Sequence, residues 1–471
     1  MKNYDIQKLG EHKGSPRFYK EGKRIALAGF TPGTVYRATM HQEQGMLVLK
    51  VDPDGAYKVS KKAARNASEA ETVVPVIDIN SKELLGMFEG LDQVRVIVRQ
   101  GQIVLLALAT EIRRKERIER VTQKIRSGTP LDVGSVSHGI GILSNALHMG
   151  LEEQGVASRQ MFACDIEATY LDQAEQANDC WSDDTIKVTA PLQEFAVDEW
   201  AMQRIGKIDV LEGGIPCTAA SHAGRSKKHL EKAEDDPNVG HLIFGFLTLI
   251  ARLNPAIVVL ENVPAYQSTA SMGIFRTQMR DLGYDVHERI LSGKDFGALE
   301  NRQRMVAVGV TKGLLSFSLD GLKLPEHTAR MVADILDPVP LDDPSWSTLQ
   351  YLVDKEVRDK AAGKGFMMQK VKDTATSVPT ITRGYMKRRS TDPFLQHPEN
   401  GDLLRLFTPG EHARIKGVPA HLIRGMSATR AHEALGQGIC YEPFRAVGRY
   451  IGEALGSQLR AHYVEPLRQA A

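Results

Sequence analysis

The chain has 471 residues, of which 42% are hydrophobic and 25% are charged, and its formal net charge is +2 at pH 7. This length allows more than one domain with a large core, and this composition excludes a disordered or low-complexity chain. The near-zero charge excludes a uniformly basic surface, so any nucleic-acid contact must come from local clusters of basic residues.

The four cysteines lie far apart, at Cys164, Cys180, Cys217 and Cys440. Their irregular spacing fits neither a disulfide framework nor a metal knuckle, and it favours a reducing compartment. The amino terminus has no apolar signal core, and the longest apolar stretch, around 242–253, is too short to span a bilayer. We therefore expect a cytoplasmic protein that binds neither a membrane nor a metal.

Residues 1–110 predict a β-rich domain with an internal repeat, whose copies span 23–49 and 76–105. Each copy begins with a strand (23–27 in the first), continues through a short helix or turn, and ends with two strands separated by a glycine. The pattern resembles the swapped-hairpin strands of AbrB-type transcription factors, here in tandem. That resemblance implies that the domain can pair with itself, so that the chain can self-associate, or can add a DNA contact.

Residues 111–130 predict a connector helix followed by a short linker. Seven basic residues alternate with apolar ones along it: Arg113, Arg114, Lys115, Arg117, Arg120, Lys124 and Arg126. Such a run is more often a solvated helix face than a phosphate-binding surface, and both interpretations stay open. The sequence 127–130, Ser-Gly-Thr-Pro, is typical of a boundary.

Residues 131–309 predict a doubly wound, mostly parallel α/β sheet. Apolar strand-like runs alternate here with helical patterns, which is the signature of βαβ units. The strands are expected at 131–133, 160–164, 208–211, 257–260 and 305–309, and the helices at 143–150, 168–177, 240–253 and 274–282. Residues 310–402 are polar and Pro-rich, and 403–471 regain a helical pattern that is expected to complete the catalytic domain.

Two of the predicted strands end in residues with catalytic chemistry. The strand at 208–211 leads into Gly213-Gly214-Ile215-Pro216-Cys217, and the next strand leads into Glu261-Asn262-Val263. Carboxyl ends of neighbouring parallel strands meet at one edge of a sheet, so a thiol nucleophile and a carboxyl acid are expected side by side.

Five segments in this order resemble the motifs of the DNA (cytosine-5) methyltransferases. They are the Pro-Cys loop at 214–221, the Glu-Asn-Val at 261–263, the Asn-Arg-Gln-Arg at 301–306, the helix at 406–419 and the Gly-Gln-Gly at 436–443. The resemblance spans about 131–457 and implies a class I, Rossmann-like methyltransferase that uses S-adenosylmethionine. It also implies a target-recognition region at 310–402 and transfer to cytosine in duplex DNA, as in restriction-modification.

The resemblance gives catalytic roles to Cys217, Glu261, Asn262, Arg302 and Arg304. Carbon 5 of cytosine is a poor nucleophile, and addition of a thiolate to carbon 6 converts the ring to an enamine that can attack a methyl group. Glu261 would protonate ring nitrogen 3, and Asn262 would orient Glu261 or the backbone near it. The two arginines would hold the base and a flanking phosphate, and the target must leave the duplex stack.

The implied donor site departs from the family pattern. Its candidate residues are Ser137, Gly139, Gly141, Asp165, Ile166, Pro216, Gln437 and Gly438. The aromatic residue that precedes the family's Gly-x-Gly-Gly loop falls on Ser137, or on Gly134 in the other alignment, and neither is a ring. Gln437 and Gly438 replace the usual Asn and Ser. Asp165 is assigned to the ribose hydroxyls, with Glu167 as the alternative, and Ile166 to the adenine.

Candidate DNA-binding residues fall in two places. The loop after the nucleophile contributes Ser221, Arg225, Lys227 and Lys228, and the recognition region contributes Thr380, Thr382, Arg383, Lys387, Arg388 and Arg389. Short Thr and long Arg side chains suit base readout, and basic runs suit phosphates, although the run at 387–389 is as often a surface loop.

Two other functions stay open. One is cytosine-5 methylation of RNA on the same motifs. The other is a DNA-binding regulator on the same fold with impaired catalysis, which the altered donor motif suggests. The sequence is silent on the recognised bases.

Overall fold

The structure is a computed structural model, and it describes residues 3–12, 14–63, 73–216, 233–236, 239–326, 330–365 and 367–461. The chain divides into two compact units, Met1–Lys115 and Glu116–Ala471. No helix among the described residues combines the length and the apolar character needed to cross a membrane.

The first unit is built from antiparallel β-strands. Its elements are β1 (Asn3–Lys8), β2 (Gly10–His12), β3 (Ser15–Glu21), α1 (Lys23–Ala26), β4 (Val35–His41), β5 (Met46–Val51), β6 (Tyr57–Lys58), β7 (Ser60–Ala63), β8 (Val73–Ile79), α2 (Lys82–Leu85), β9 (Gln93–Arg99) and β10 (Gln102–Ala107). Among the described residues they form a sheet in the order β1-β9-β10-β5-β4-β6 and a second in the order β2-β3-β8-β7.

A repeated arrangement is visible in this unit. Strands β3 and β8 pair with each other, each is followed by a short helix, and the hairpins β4–β5 and β9–β10 pair through β5 and β10. The expected strand at 23–27 is wrong, because these residues form α1. Gly22 has φ 103° and turns the chain, and Ile25 and Ala28 are buried at helical spacing.

Helix α3 (Ala109–Ser127) crosses the predicted connector region. In the second unit, Lys124 donates to Asp132 and Asp209 at 2.6 Å each, Arg120 pairs with Asp209, and Arg117 lies 4.0 Å from the Tyr284 ring centroid. Asp209 is fully buried. These three cations bind side chains of their own unit, so neither a solvated face nor phosphate contact describes them.

The second unit is an α/β domain. Its first part has β11 (Leu131–Val136), α4 (Ile142–Glu152), β12 (Ser158–Asp165), α5 (Ala168–Ala177), β13 (Ile186–Thr189), α6 (Leu192–Val197), α7 (Glu199–Ile205), β14 (Val210–Gly214), α8 (Leu242–Leu253), β15 (Ile257–Asn262), α9 (Ala270–Asp281), β16 (Tyr284–Ser292) and β17 (Gln303–Thr311). Its second part has α10 (Gln350–Ala361), β18 (Gln369–Val371), β19 (Pro393–Gln396), β20 (Leu404–Arg405), α11 (Pro409–Lys416), α12 (Ala428–Gln437) and α13 (Tyr441–Ala461).

The described strands of the first part form one sheet in the order β13-β12-β11-β14-β15-β17-β16. Strands β13 to β15 of this order are parallel, and β17 and β16 are antiparallel to their neighbours. The predicted doubly wound, mostly parallel fold is therefore confirmed. The chain runs outward from β11 through β12 to β13 and then crosses back to β14 on the other side of β11. The strand order therefore reverses between β11 and β14, and such folds bind ligands at the carboxyl ends of the strands at this point.

Apolar side chains cover both faces of this sheet. One face packs Val133, Val210 and Val259 against residues of α4 and α13, and the other packs Leu211 and Val258 among residues of α6, α8 and α9. Residues 369–405 add a small sheet, β18-β19-β20. The helices on both faces of the large sheet thus hold the carboxyl ends of its parallel strands in place.

Candidate active site

The ends of β14 and β15 lie side by side at the carboxyl edge. Gly214 pairs with Glu261, and a Cβ on Gly214 would lie 3.0 Å from Glu261 Oε2. The buried Asn262 side chain donates to the carbonyl of Ile215 at 3.1 Å and accepts from the Val263 amide at 2.9 Å. Asn262 therefore holds the backbone that leads to Pro216. Cys217 lies outside the described residues, as do Ser221, Arg225, Lys227 and Lys228.

Glu261 is paired with an arginine of the neighbouring strand. Its Oε1 lies 2.8 Å from Nε of Arg304, and both side chains are about 15% exposed (14% and 16%). Burial raises the pKa of Glu261 above its ordinary value, and the charges of Arg304, Arg302 and Lys416 oppose that rise. The net effect is a carboxyl that binds a proton more tightly than usual and is oriented by the Arg304 guanidinium.

Arg302 lies deeper, with 6% of its surface exposed. It donates to the carbonyl of Gln437 at 3.2 Å, and its Nε has no hydrogen-bond partner among the described residues. Burial, and then the like charge of Arg304, lower the pKa of Arg302. An unpaired buried donor of this kind is costly, so it marks a place where an acceptor such as a base carbonyl fits.

The Gly-rich turn after β11 has the conformation that a close ligand approach requires. Ser137, Gly139 and Gly141 have φ values of 51°, 57° and 78°. A Cβ on Gly141 would lie 2.3 Å from Asn178, whereas the space around Gly139 is open to 4 Å. Gly134, in contrast, lies within β11 against the Phe162 ring, where a Cβ would come within 2.3 Å. This favours Ser137 over Gly134 as the position of the missing aromatic ring.

Asp165 fastens this turn at the end of β12. Its carboxylate accepts from the Gly139 amide at 2.8 Å and from the Glu167 amide at 2.9 Å. A carboxylate has about four acceptor positions, so ribose hydroxyls can still bind there. Ile166 is 71% exposed, and Glu167 lies 3.4 Å from Arg430. These residues fit an adenosyl group.

Two departures from the family pattern meet in the donor region. The position after Gly141, where the family has its third glycine, is Ile142, and Gly438 stands where the family has serine. A Cβ on Gly438 would lie 2.7 Å from Ile142 Cδ1. The missing side chain at Gly438 thus leaves room for the extra one at Ile142, and the two changes compensate in volume.

This contact predicts that Gly438→Ser weakens donor binding. The new side chain must displace Ile142, and such overpacking typically costs about 1–3 kcal/mol. Titration calorimetry with S-adenosylmethionine should show weaker binding for Gly438→Ser and a recovery for the double variant Gly438→Ser/Ile142→Ala. Wild-type affinity in the single variant would contradict the compensation.

Gln437 contacts both Arg302 and a residue of α5. Its backbone carbonyl accepts from Arg302, and its side-chain amide donates to the Tyr170 hydroxyl at 3.0 Å. Its side chain therefore lies on the α5 side of the turn. The replacement of asparagine by glutamine keeps an amide at this place.

The sequence interpretation missed a buried acid, Glu212, in the middle of β14. It is 1% exposed, and its Oε1 has no hydrogen-bond partner in the part of the chain that the structure describes. Burial raises the pKa of Glu212 to about 8, the Ser135 and Ser144 hydroxyls oppose the rise, and Glu261 adds to it. The available signal was a charged residue inside an apolar strand run.

Glu212 predicts a pH-dependent stability. Because its pKa in the folded chain lies above the ordinary value of 4.5, its contribution is fully present below that value and is lost as pH rises through about 8. Within that window, Glu212→Gln should gain about 1.4 kcal/mol of unfolding free energy per pH unit relative to wild type. Urea unfolding across the window measures it. Glu288→Gln is the control, because pairing with Arg276 lowers the pKa of Glu288.

The described recognition residues lie at different distances from the catalytic ones. The Thr380 hydroxyl donates to the Asn301 carbonyl at 3.0 Å, so this threonine borders the arginine motif. Thr382 lies 3.5 Å from Asp392. Arg383, Lys387, Arg388 and Arg389 are exposed. The structure brings Thr380 to the catalytic edge and leaves the basic run on the surface.

Comparisons with known proteins agree with this geometry. The family model for C-5 cytosine-specific DNA methylases matches residues 145–453, which is more than half of the chain and begins after the altered Gly-rich turn. The Type II methyltransferase M.SsoII of Shigella sonnei is 29% identical over 258 residues (53% of this chain, 65% of the relative), and M.HpaII of Haemophilus parainfluenzae is 27% identical over 288 residues (57% and 78%). The chain thus spans just under two thirds of the first of these relatives.

The fold is also similar to solved structures. The S. pombe Dnmt2 methyltransferase matches with a TM-score of 0.55 and 19% identity over 69% of this chain and 99% of that chain. The Entamoeba histolytica methyltransferase EhMeth matches with a TM-score of 0.54 and 18% identity over 70% and 99%. At these identities the similarity concerns the fold.

Proposed function

The chain belongs to the C-5 cytosine-specific DNA methylase family, and we propose that it methylates carbon 5 of cytosine in duplex DNA with S-adenosylmethionine as donor. The observation that carries this proposal is the pairing of Glu261 with Arg304 at the carboxyl edge, directly beside the backbone that leads to Cys217. The Type II relatives favour a restriction-modification context.

The nucleophile in this proposal is the thiolate of Cys217. It adds to carbon 6 of the ring, and the ring electrons move toward carbon 5. Asn262 fixes the backbone at Ile215, two residues before Cys217, through its hydrogen bond to the Ile215 carbonyl. When bound, S-adenosylmethionine supplies an electrophilic methyl group. After transfer a base removes the carbon 5 proton, and the bond to sulfur breaks.

Glu261 gives its proton to ring nitrogen 3 during the addition. Its raised pKa keeps the proton available, and Arg304 holds the carboxyl in place. The unpaired Nε of the buried Arg302 can donate to the base carbonyl. The carboxyl edge cannot reach a cytosine inside a duplex, so the target is flipped out.

Methyl incorporation tests this proposal against its alternatives. The full chain is incubated with tritiated S-adenosylmethionine and either unmethylated plasmid DNA or bulk tRNA. Incorporation into DNA at carbon 5 of cytosine is the expected result. Incorporation into RNA alone would favour an RNA methyltransferase, and DNA binding without incorporation would favour an impaired regulator.

We also propose that the first unit mediates self-association, and that the protein acts on the nucleoid in the cytoplasm. The paired hairpins of that unit suit an assembly role. The nucleoid is proposed because it contains the proposed substrate, duplex DNA. Removal of residues 1–110 is expected to leave a folded catalytic unit. In sedimentation, this unit should show a smaller oligomeric state than the full chain, or its DNA affinity should be lower. If sedimentation shows the same oligomeric state and DNA affinity is unchanged, the role assigned to this unit is wrong.

A further inference from the structure

A buried ion pair lies beside the arginine motif. Glu300 and Lys416 are both fully buried, and Nζ of Lys416 lies 2.6 Å from Oε2 of Glu300. The same oxygen accepts from the Cys440 thiol at 3.4 Å. Burial alone would raise the pKa of Glu300, but Lys416 and Arg302 together lower it. The pair is thus a carboxylate facing cations, two residues before Arg302.

The other oxygen of Glu300 holds the recognition region. Its Oε1 accepts from the backbone amide of Ile381 at 2.8 Å. Ile381 lies between the two threonines that the sequence assigns to base readout. The backbone nearby is also joined, because the Asn301 amide donates to Val378 at 2.8 Å and the Val378 amide donates to Leu299 at 2.7 Å.

One carboxylate therefore meets three parts of the unit. They are the arginine motif, the recognition segment 378–382, and the last residue of α11. Glu300 also offsets the positive charges of Lys416 and Arg302, which are buried close to each other. Glu300 thus contacts segment 378–382 with its side chain, and its backbone carbonyl accepts from the Arg302 amide at 2.9 Å.

We propose that Glu300 is a positioning residue, paired with Lys416, that couples the seating of segment 378–382 on DNA to the placement of Arg302 in the base site. The proposal rests on the proposed function. Correct contacts of the threonines with the duplex fix the segment, the segment fixes Glu300, and Arg302 is then aligned for the flipped base. Recognition and base capture are in this way linked by side chains that do not contact DNA.

Glu300→Gln/Lys416→Gln tests the coupling. Neutralisation of both partners leaves neither of them as an unpaired ion, and Glu261 still offsets the charge of Arg302, so the double variant is expected to fold. The matched control is Arg405→Gln/Glu411→Gln, which neutralises a second buried pair, 2.7 Å apart, that holds α11 and β20. Thermal unfolding shows whether both double variants lose similar stability.

The first measurement is hydrogen exchange with unmethylated plasmid DNA. In wild type and in the control, DNA should slow exchange in peptides over 378–383 and over 299–304. In Glu300→Gln/Lys416→Gln, slowing should persist over 378–383 and should fall at least about twofold over 299–304, as expected for a lost coupling.

The second measurement is the steady-state rate of methyl incorporation. The double variant should lose about tenfold in kcat with KM for DNA nearly unchanged, whereas the control keeps kcat within about twofold. A wild-type kcat in Glu300→Gln/Lys416→Gln, an equal loss in the control, or undiminished DNA-induced slowing over 299–304 would each overturn the proposal. If wild type transfers no methyl group to DNA, the proposed function fails, and the exchange measurement still decides the coupling.

Discussion

Replacing Cys217 with serine is expected to abolish methyl transfer, with a loss of at least about 10⁴-fold in kcat/KM. A hydroxyl at this position is far less ionised than a thiol and adds poorly to carbon 6 of cytosine. The measurement is tritium incorporation into plasmid DNA. A second readout is a covalent protein–DNA adduct on DNA that contains 5-fluorocytosine. In this base, fluorine replaces the carbon 5 proton whose removal releases the sulfur, so the sulfur stays bound.

Cys164→Ala is the matched control for this substitution. Cys164 is buried at the end of β12, and burial raises the pKa of its thiol to about 12, so it is not a nucleophile. The control is expected to keep activity within about twofold, because a buried free cysteine acts as a small apolar residue. Adduct formation by Cys217→Ser, or its loss in Cys164→Ala, would exclude Cys217 as the nucleophile.

Replacing Glu261 with glutamine is expected to lower kcat/KM by about 10³-fold, within the range typical of a lost general acid. Glutamine keeps the size and can still accept from Arg304, but it cannot give a proton to ring nitrogen 3. Because burial raises the pKa of Glu261, its protonated form persists at higher pH than for an ordinary carboxyl and disappears as pH rises through that pKa. Wild-type activity should therefore fall at high pH as Glu261 loses its proton. The activity of Glu261→Gln should lack this part of the decrease.

Glu288→Gln controls for the loss of a carboxylate–arginine pair in the same sheet. Glu288 lies on β16, and its Oε1 is 2.6 Å from Arg276 Nε. This variant is expected to keep kcat/KM and its pH profile while losing some stability. If Glu261→Gln retains kcat/KM within tenfold, or the control loses as much, the acid is another group.

Much of the catalytic edge followed from the sequence, because local patterns fix strands and strand ends. Short segments determine these features, because apolar runs and glycines determine the local backbone. The features are the parallel strands, the apolar segment that precedes Cys217, and the position of Glu261 at the end of the next strand. Helix α5 was predicted with the bounds that the structure gives it, Ala168–Ala177. The family motifs then supplied the order of the segments.

Contacts between distant segments were decided by the tertiary structure alone. The strand expected at 23–27 is replaced by helix α1 (Lys23–Ala26), because Ile25 is fully buried whereas Leu27 is 64% exposed, and a strand would place both on one face. Ile142 and Gly438 compensate each other in volume although they lie almost 300 positions apart in the chain. In the sequence alone, they are two separate departures from the family pattern. A basic residue of α3, Lys124, forms an ion pair with the buried Asp209, and composition does not predict this contact.

The amino-acid sequence by itself determined which side chains we propose as catalytic, since the identities of Glu261, Arg302 and Arg304 and their places relative to strand ends are local. The tertiary structure decided how strongly each is buried and with what it pairs. Burial and pairing set proton affinity and position, and they depend on groups such as Glu300 and Lys416, which are 116 residues apart in the chain and meet only in the folded core.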